Sequence, residues 1–217
     1  MLLESRDSPP FYKNGYVLGC QQTREAVIID PGDEIEQLLR VRDEHQLRVT
    51  HILLTHAHVD HVAGTARARA ACNAPVCLHR DDLPLYEAAP QQAAFFGLEI
   101  EPPPPVDQFY DLSAPIAFGR YEVRVLHTPG HTPGGVCLLV GRAGEAGKKV
   151  FVGDTLFAGS IGRTDLPGGD YDTLIGSIRG VLFKLADDVE VYSGHGPKTM
   201  IGQERRTNPF LTGTRGR

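Results

Sequence analysis

No stretch of this 217-residue chain is apolar over a length that could cross a bilayer. The first ten residues, Met-Leu-Leu-Glu-Ser-Arg-Asp-Ser-Pro-Pro, also lack the basic start and apolar core of a secretory signal. The sequence therefore predicts a cytoplasmic location with no membrane partner. Lys and Arg number 22 against 27 Asp and Glu, for a formal net charge of −5, so no surplus of cations exists to neutralise a phosphate backbone. Nucleic acid is not an expected partner. The four cysteines, Cys20, Cys72, Cys77 and Cys137, form no C-x-x-C pair, and Cys20 and Cys137 lie in strand-like apolar runs that suit buried free thiols. Such thiols fit a reducing compartment. Repeats at solenoid spacing are lacking, and low complexity is confined to the prolines at 102–105. What remains is a soluble globular chain, expected to form one domain over residues 1–217.

Histidine is present in a telling place. Thr55-His56-Ala57-His58-Val59-Asp60-His61 puts four metal-capable side chains within six residues. With nine histidines in the chain, an accidental H-x-H-x-D-H is expected in about one such sequence in a thousand. Two imidazoles one residue apart can face a single ion across a tight turn, while Asp60 and His61 point to a second position beside it. Nitrogen and carboxylate donors suit Zn, Fe or Mn, and the lack of thiolate argues against a closed structural zinc site.

The surrounding pattern is α/β. Residues 16–20 and 26–29 read as strands ended by Asp30-Pro31-Gly32, and residues 33–46 as an amphipathic helix. A buried strand over 49–54 delivers the histidine stretch at its C-terminal end, where open α/β sheets collect ligands. A helix over 62–72, a strand over 74–78 and a partly helical segment over 81–97 follow. Gly119-Arg120 marks a hairpin between strands at 116–118 and 121–126. Strands at 136–140 and 149–152 come next, then a helix capped by Asp172 and running to Leu185, a last strand at 189–192, and a basic, fraying tail. His131, Asp154 and His195 each end or follow a predicted strand beside glycine, which lets backbone approach an ion closely. With the cradle they make seven donors, enough for two ions sharing a carboxylate. His45, His51, His79 and His127 read as ordinary surface or core residues.

T-H-A-H-V-D-H, the later H-T-P-G-H-T, V-G-D and S-G-H-G resemble, in order, the motifs of the metallo-β-lactamase-fold hydrolases. Within them the chain is similar to the glyoxalase II (hydroxyacylglutathione hydrolase) group, in particular its short bacterial members, through Gly162-Arg163-Thr164-Asp165 onward and Gly194-His195-Gly196-Pro197. The resemblance implies an αββα sandwich. It also implies that His56, His58 and His131 hold one divalent ion, Asp60, His61 and His195 the other, and Asp154 bridges them, with Zn the first choice and Fe or Mn the alternatives. The implied reaction is attack by a hydroxide bridging the two ions on a small-molecule thioester such as S-lactoylglutathione, with Asp60 and Asp154 among the catalytic residues and Arg163 contacting the glutathione tail. A thiolate leaves without a strong general acid, which suits a site whose acids and bases are all ligands.

Long members of the group add a helical C-terminal domain, whereas only 22 residues follow His195 here. Their tyrosines two positions after the basic residue and after the last ligand histidine are matched by Asp165 and Pro197, which implies a differently built thiol pocket. Persulfide dioxygenases share the fold and a G-R-T-D stretch, but use one iron on two His and one Asp and typically end in A-H-D-Y. The G-H-G-P ending favours the hydrolases.

Overall fold

The computed structural model describes residues 1–213. Strands β1 (Leu2–Arg6), β2 (Gly15–Gly19), β3 (Glu25–Ile29), β4 (Arg48–Leu53), β5 (Val76–Leu78) and β6 (Gln108–Phe109) form one sheet in that order. The first three run antiparallel, and β3 to β6 are parallel. The second sheet is built from β7 (Ile116–Phe118), β8 (Tyr121–His127), β9 (Val136–Arg142) and β10 (Lys149–Gly153). A small hairpin, β11 (Leu156–Phe157) with β12 (Ser160–Ile161), leads on to β13 (Glu190–Ser193) and β14 (Thr199–Met200), which complete the second sheet as β14-β13-β10-β9-β8-β7. Helices α1 (Ile35–Glu44), α2 (Val59–Val62), α3 (Thr65–Cys72), α4 (Leu83–Glu87) and α5 (Ala89–Phe95) belong to the first half, and α6 (Tyr171–Gly180) and α7 (Ile201–Thr207) to the second.

The two-residue period of the strands explains why these layers stack. Along β3 and β4 alternate residues divide between two cores: Ala26, Ile28 and Ile52 pack with α1 residues Leu38 and Leu39, while Val27, Ile29 and Leu53 pack against Phe118, Val123 and Leu138 of the second sheet. The second sheet divides the same way, with Phe151 turned inward and Val150 and Val152 turned to Leu174 and Ile178 of α6. Three apolar layers thus separate helix, sheet, sheet and helix, which is an αββα sandwich. Strands buried on both faces need continuous apolar sequence, as Val-Ile-Ile and Val-Phe-Val supply.

Several elements differ from the sequence reading. The segment over 62–72 is two helices: α2 begins at Val59, so Asp60 and His61 lie on a helical turn. Helix α6 is capped by Asp170, whose side chain accepts from the Thr173 amide at 2.7 Å, so Asp172 lies in the first turn instead; the helix ends at Gly180, and a 3₁₀ turn follows. The segment after the last long strand is not a frayed tail throughout. Residues Ile201–Thr207 are helical, with Ile201 and Leu211 in the outer core, and only the final four residues of that expectation lie outside the described chain. Strand β1 escaped the sequence reading because its polar residues pair with a single neighbour at the sheet edge. Among the described residues no helix is long and apolar enough to cross a membrane.

Candidate metal centre

Register places the donors. Ile29 pairs with Leu53 and Gly153 with Ser193, so the segments starting at Asp30, Leu54, Asp154 and Gly194 leave the two sheets side by side. The Val136 amide donates to the Thr55 carbonyl at 2.8 Å and ties the sheets together at this edge. His131 enters from the loop between β8 and β9. The structure brings all seven predicted donors together there. The ligand atoms of His56, His58 and His131 lie within 4.8 Å of one another, as do those of Asp60, His61 and His195 and those of His56, His61 and Asp154.

Hydrogen bonds fix which nitrogens are free. Thr55 Oγ1 gives its proton to Asp30 Oδ2 at 2.6 Å, so at 3.1 Å the His56 Nδ1–H must donate to Thr55 Oγ1, and His56 Nε2 carries a lone pair. His131 Nδ1 donates to the Arg163 carbonyl at 2.8 Å, so its Nε2 is also bare. These two nitrogens face each other at 3.2 Å, and His58 Nδ1 stands 2.9 Å from His131 Nε2. Lone pairs aimed at each other repel unless a cation lies between them. Donors roughly 2.0–2.1 Å from a tetrahedral ion stand about 3.3 Å apart, so the spacing fits. Burial, reinforced by neighbouring imidazoles, depresses the pKa of His56 well below its usual value and that of His58 to about 4, which keeps both rings neutral.

The second group centres on His61, fully buried. Its Nδ1 donates to Asp30 Oδ2 at 2.9 Å, leaving Nε2 bare. His61 Nε2 and Asp154 Oδ1 lie 3.3 Å apart without the alignment of a hydrogen bond, and both are buried atoms with no hydrogen-bond partner. Asp60 Oδ2 is 3.6 Å from His61 Nε2 and 3.0 Å from His195 Nε2; His195 Nε2 is 3.6 Å from Asp154 Oδ2. Burial works against charge on His61, yet Asp60, Asp154 and Asp30 outweigh it and push its pKa up to about 10. Burial likewise opposes ionisation of Asp60 and Asp154, but His61 and its neighbours hold both carboxyls below the usual range. Positive charge is demanded at this point, and orphaned donor atoms converge on it. The residues present therefore fit two divalent cations.

Close backbone approach is visible at Gly194, where a Cβ would collide with Asp154 Oδ1 and sit 2.6 Å from the His61 ring. Gly153, at φ +49, turns the chain out of β10 so that Asp154 faces the centre, and a side chain there would strike Thr55.

Two carboxylates that sequence reasoning passed over do the positioning. Asp30, read only as a strand stop, holds Thr55 through its amide (2.7 Å) and hydroxyl, and holds His61. Asp82, buried, accepts from the Ala57 amide (3.0 Å), the Thr132 hydroxyl (2.8 Å) and the Gly134 amide (2.6 Å), so it clamps the loop of His56 and His58 to the loop of His131. A lone Asp after Val-Ile-Ile was the one available signal for the first; nothing local marks the second. Arg163 lines the cavity of about 230 Å³ over the donors, but its exposed guanidinium donates two hydrogen bonds to Asp165, at 2.7 and 2.8 Å. Its carbonyl, not its side chain, orients His131. His79, read as an ordinary surface or core residue, stacks on His127 at 4.2 Å and 10°, with Asp81 beside them. His127 Nε2 is hydrogen-bonded to the Pro133 carbonyl at 3.0 Å and His79 Nδ1 accepts from the Asp81 amide at 3.3 Å, so each ring already has one nitrogen engaged. The four cysteines are free, and none belongs to the donor cluster.

An αββα sandwich with His and Asp donors gathered at one edge of its two sheets defines a metallo-β-lactamase-fold protein that holds divalent metal. The chain belongs to the metallo-β-lactamase superfamily, whose family model matches residues 8–195. It is 42% identical over 191 residues to the hydroxyacylglutathione hydrolase GloC of Haemophilus influenzae, covering 87% of this chain and 88% of that one. Among solved structures it is similar to the BLEG-1 B3 metallo-β-lactamase, at 38% identity and TM-score 0.87 over 97% of this chain and 100% of that one. TTHA1623 in a di-iron-bound form is 43% identical, TM-score 0.84, covering 96% and 100%. ETHE1 from Myxococcus xanthus is 28% identical, TM-score 0.81, covering 98% and 85%.

Proposed function

We propose that this protein hydrolyses a thioester of the S-acylglutathione kind, of which S-lactoylglutathione is the type, using two divalent ions. The observation that carries the reading is the pair of donor sets that meet at Asp154, with bare nitrogens of His56 and His131 at 3.2 Å and unpartnered His61 Nε2 and Asp154 Oδ1 beside them. His56, His58 and His131 would hold one ion, Asp60, His61 and His195 the other, and Asp154 both. Zinc suits this donor set, and the di-iron form of a 43%-identical neighbour makes iron the alternative. Bound there, the ions would supply a water activated at neutral pH and Lewis-acid polarisation of the substrate carbonyl.

The chain's own part is to orient and to exclude. Asp30 and the Arg163 carbonyl hold His61 and His131 in the tautomers that leave Nε2 free, and Thr55 does so for His56. Phe11, Phe96 and Leu166 wall the cavity over the donors and limit water there. Every acid or base around the cavity floor is a candidate ligand, so a leaving group that needs no proton fits best, and thiolate is one. The 42% identity to a hydroxyacylglutathione hydrolase supports the same substrate class.

The test is thiol release from S-lactoylglutathione by protein loaded with Zn or Fe. It is run beside oxygen uptake with glutathione persulfide, and beside hydrolysis of a β-lactam because of the likeness to a B3 lactamase. Thioester turnover well above the other two is expected. Oxygen uptake or β-lactam hydrolysis without thiol release would overturn the reading.

A further inference from the structure

We infer that an apolar groove beside the metal centre is the acyl subsite, and that the substrate is a thioester whose acyl group carries an aryl or alkyl arm. The inference rests on the thioesterase reading for what the arm is attached to, and on the groove itself for what the arm is.

The groove has a volume of about 360 Å³ and lies between the α4–α5 segment and the loop after β12. Leu85, Phe95 and Phe96 form one wall, and Leu166 and Pro167 the other. It is continuous with the cavity over the donors, because His58, Gln92, Phe96 and Leu166 line both. A substrate carbonyl placed at the donors therefore has one apolar exit within reach. Phe95 is 86% exposed and Phe96 52%, and the two rings pack edge to face at 5.4 Å, with Phe11 against Phe96 at 5.3 Å. Aromatic surface left in water next to a reaction centre is what a ligand would cover.

Of the two glutamines that line the groove, Gln91 is exposed and carries no charge, and Gln92 is not available to a polar ligand. Gln92 accepts from the Val59 amide at 3.1 Å and donates to the carbonyls of Ala57 (3.2 Å) and Leu85 (2.8 Å), so its amide is spent within the protein. Among the described residues lining the two spaces, Arg163 is the one Lys or Arg, and its guanidinium is already paired with Asp165. Carboxylates are therefore poorly served here and apolar groups well served. An apolar cavity of about 150 Å³ holds a benzene ring, so the groove has room for a phenyl or hexyl arm.

Non-hydrolysable thioethers read the subsite without turnover, since the alkyl group on sulfur takes the place of the acyl group. Calorimetric titration of metal-loaded protein with S-methylglutathione and S-hexylglutathione should show the hexyl compound binding about tenfold tighter or more, as burial of several methylenes on a partly open surface gives. Phe95→Ser and Leu85→Asn should bring the ratio down towards one, with circular dichroism and metal content confirming that each variant is folded and loaded. Equal affinities in the wild type, no binding of either compound, or a hexyl preference that survives both substitutions would overturn the subsite. Turnover of S-lactoylglutathione is measured in parallel. A hexyl preference without thioester turnover would sink the proposed reaction and leave the groove standing, whereas turnover without the preference would do the reverse.

Discussion

Asp30 Oδ2 accepts a hydrogen bond from His61 Nδ1 at 2.9 Å, and through it a residue at the end of β3 decides which nitrogen of His61 faces the metal position. The same carboxylate accepts a hydrogen bond from the Thr55 hydroxyl, which in turn sets the tautomer of His56. One acidic side chain thus orients a donor in each set. In Asp30→Asn one of the two accepting oxygens becomes an NH2 donor, so the side chain cannot serve both Oδ2, which accepts from His61 Nδ1 and the Thr55 hydroxyl, and Oδ1, which accepts from the Thr55 amide. Metal affinity should fall by about 10- to 100-fold while the circular dichroism spectrum is kept, as measured by chelator competition. Unchanged affinity would show that His61 is held by its packing alone.

Asp154 would carry the proposed binuclear arrangement. Its Oδ1 faces His61 Nε2 at 3.3 Å and its Oδ2 faces His195 and His131 at 3.6 and 3.8 Å. No other carboxylate touches both sets this way among the described residues. Asp154→Ala should lose bound metal and thioesterase activity together, by mass spectrometry of purified protein and by thiol release. Two metal equivalents and normal turnover in that variant would remove the shared-carboxylate model.

Asp82 makes a separate prediction, because it holds loops rather than metal. Asp82→Ala leaves the Ala57 and Gly134 amides and the Thr132 hydroxyl buried without partners, at about 1–3 kcal/mol for each buried group left unsatisfied. Denaturant unfolding should show a loss of at least ~2 kcal/mol, and metal should be lost preferentially from the His56, His58 and His131 position. A loss under ~1 kcal/mol would mean that water replaces the carboxylate.

The difference between those two aspartates and the seven donors shows where sequence reading stops. Four donors sit in one hexapeptide and three more follow strands beside glycine, so a period-two pattern with polar punctuation suffices to find them. Asp30 and Asp82 act on residues 25 or more positions away, and only the parallel pairing of β3 with β4 and the crossing of the β8–β9 loop create their contacts. Helix limits failed for a local reason. Asp170 and Asp172 both precede an apolar stripe, and only the bond from the Thr173 amide selects the first. Continuous runs such as Val-Ile-Ile mark buried strands but do not say which sheet they join, so the two-sheet layering was implied by the resemblance of the metal motifs alone, and β6, β11, β12 and β14 have two residues each and form only because a neighbouring strand is present.

Removal of metal should be felt in stability as well as in activity. Two bare imidazole nitrogens at 3.2 Å, and buried carboxylates that need positive charge, make the folded state bind cations that the unfolded chain holds less well. At a free metal concentration a hundredfold above Kd, binding adds about 2.7 kcal/mol, or roughly 5–11 °C in Tm for a chain of this size. Chelation followed by scanning calorimetry should lower Tm by that order, and re-addition of Zn or Fe should restore it. A Tm indifferent to chelator, with metal removal verified, would show that the donors are held in place without an ion.

Arg163 and Asp165 give the last prediction, because the structure turns one expected substrate contact into a competition. The guanidinium lies at the cavity mouth but makes two hydrogen bonds to Asp165, whose carboxyl it holds down at a pKa of about 2. A substrate carboxylate must displace Asp165 to reach it. Both side chains are exposed, so the exchange is between two solvated ion pairs, each worth little. Arg163→Ala should then raise KM for S-lactoylglutathione by only about two- to fivefold. Its kcat and metal content should stay near wild type, because the carbonyl that orients His131 belongs to the backbone and survives the substitution. Asp165→Ala frees the guanidinium and should lower KM by a similar factor. Neither variant should alter KM for a thioester without a carboxylate. Steady-state kinetics on both substrates decides the matter: a fall in kcat with loss of metal in Arg163→Ala would show that the side chain supports His131. No change in KM in either variant would remove Arg163 from substrate recognition.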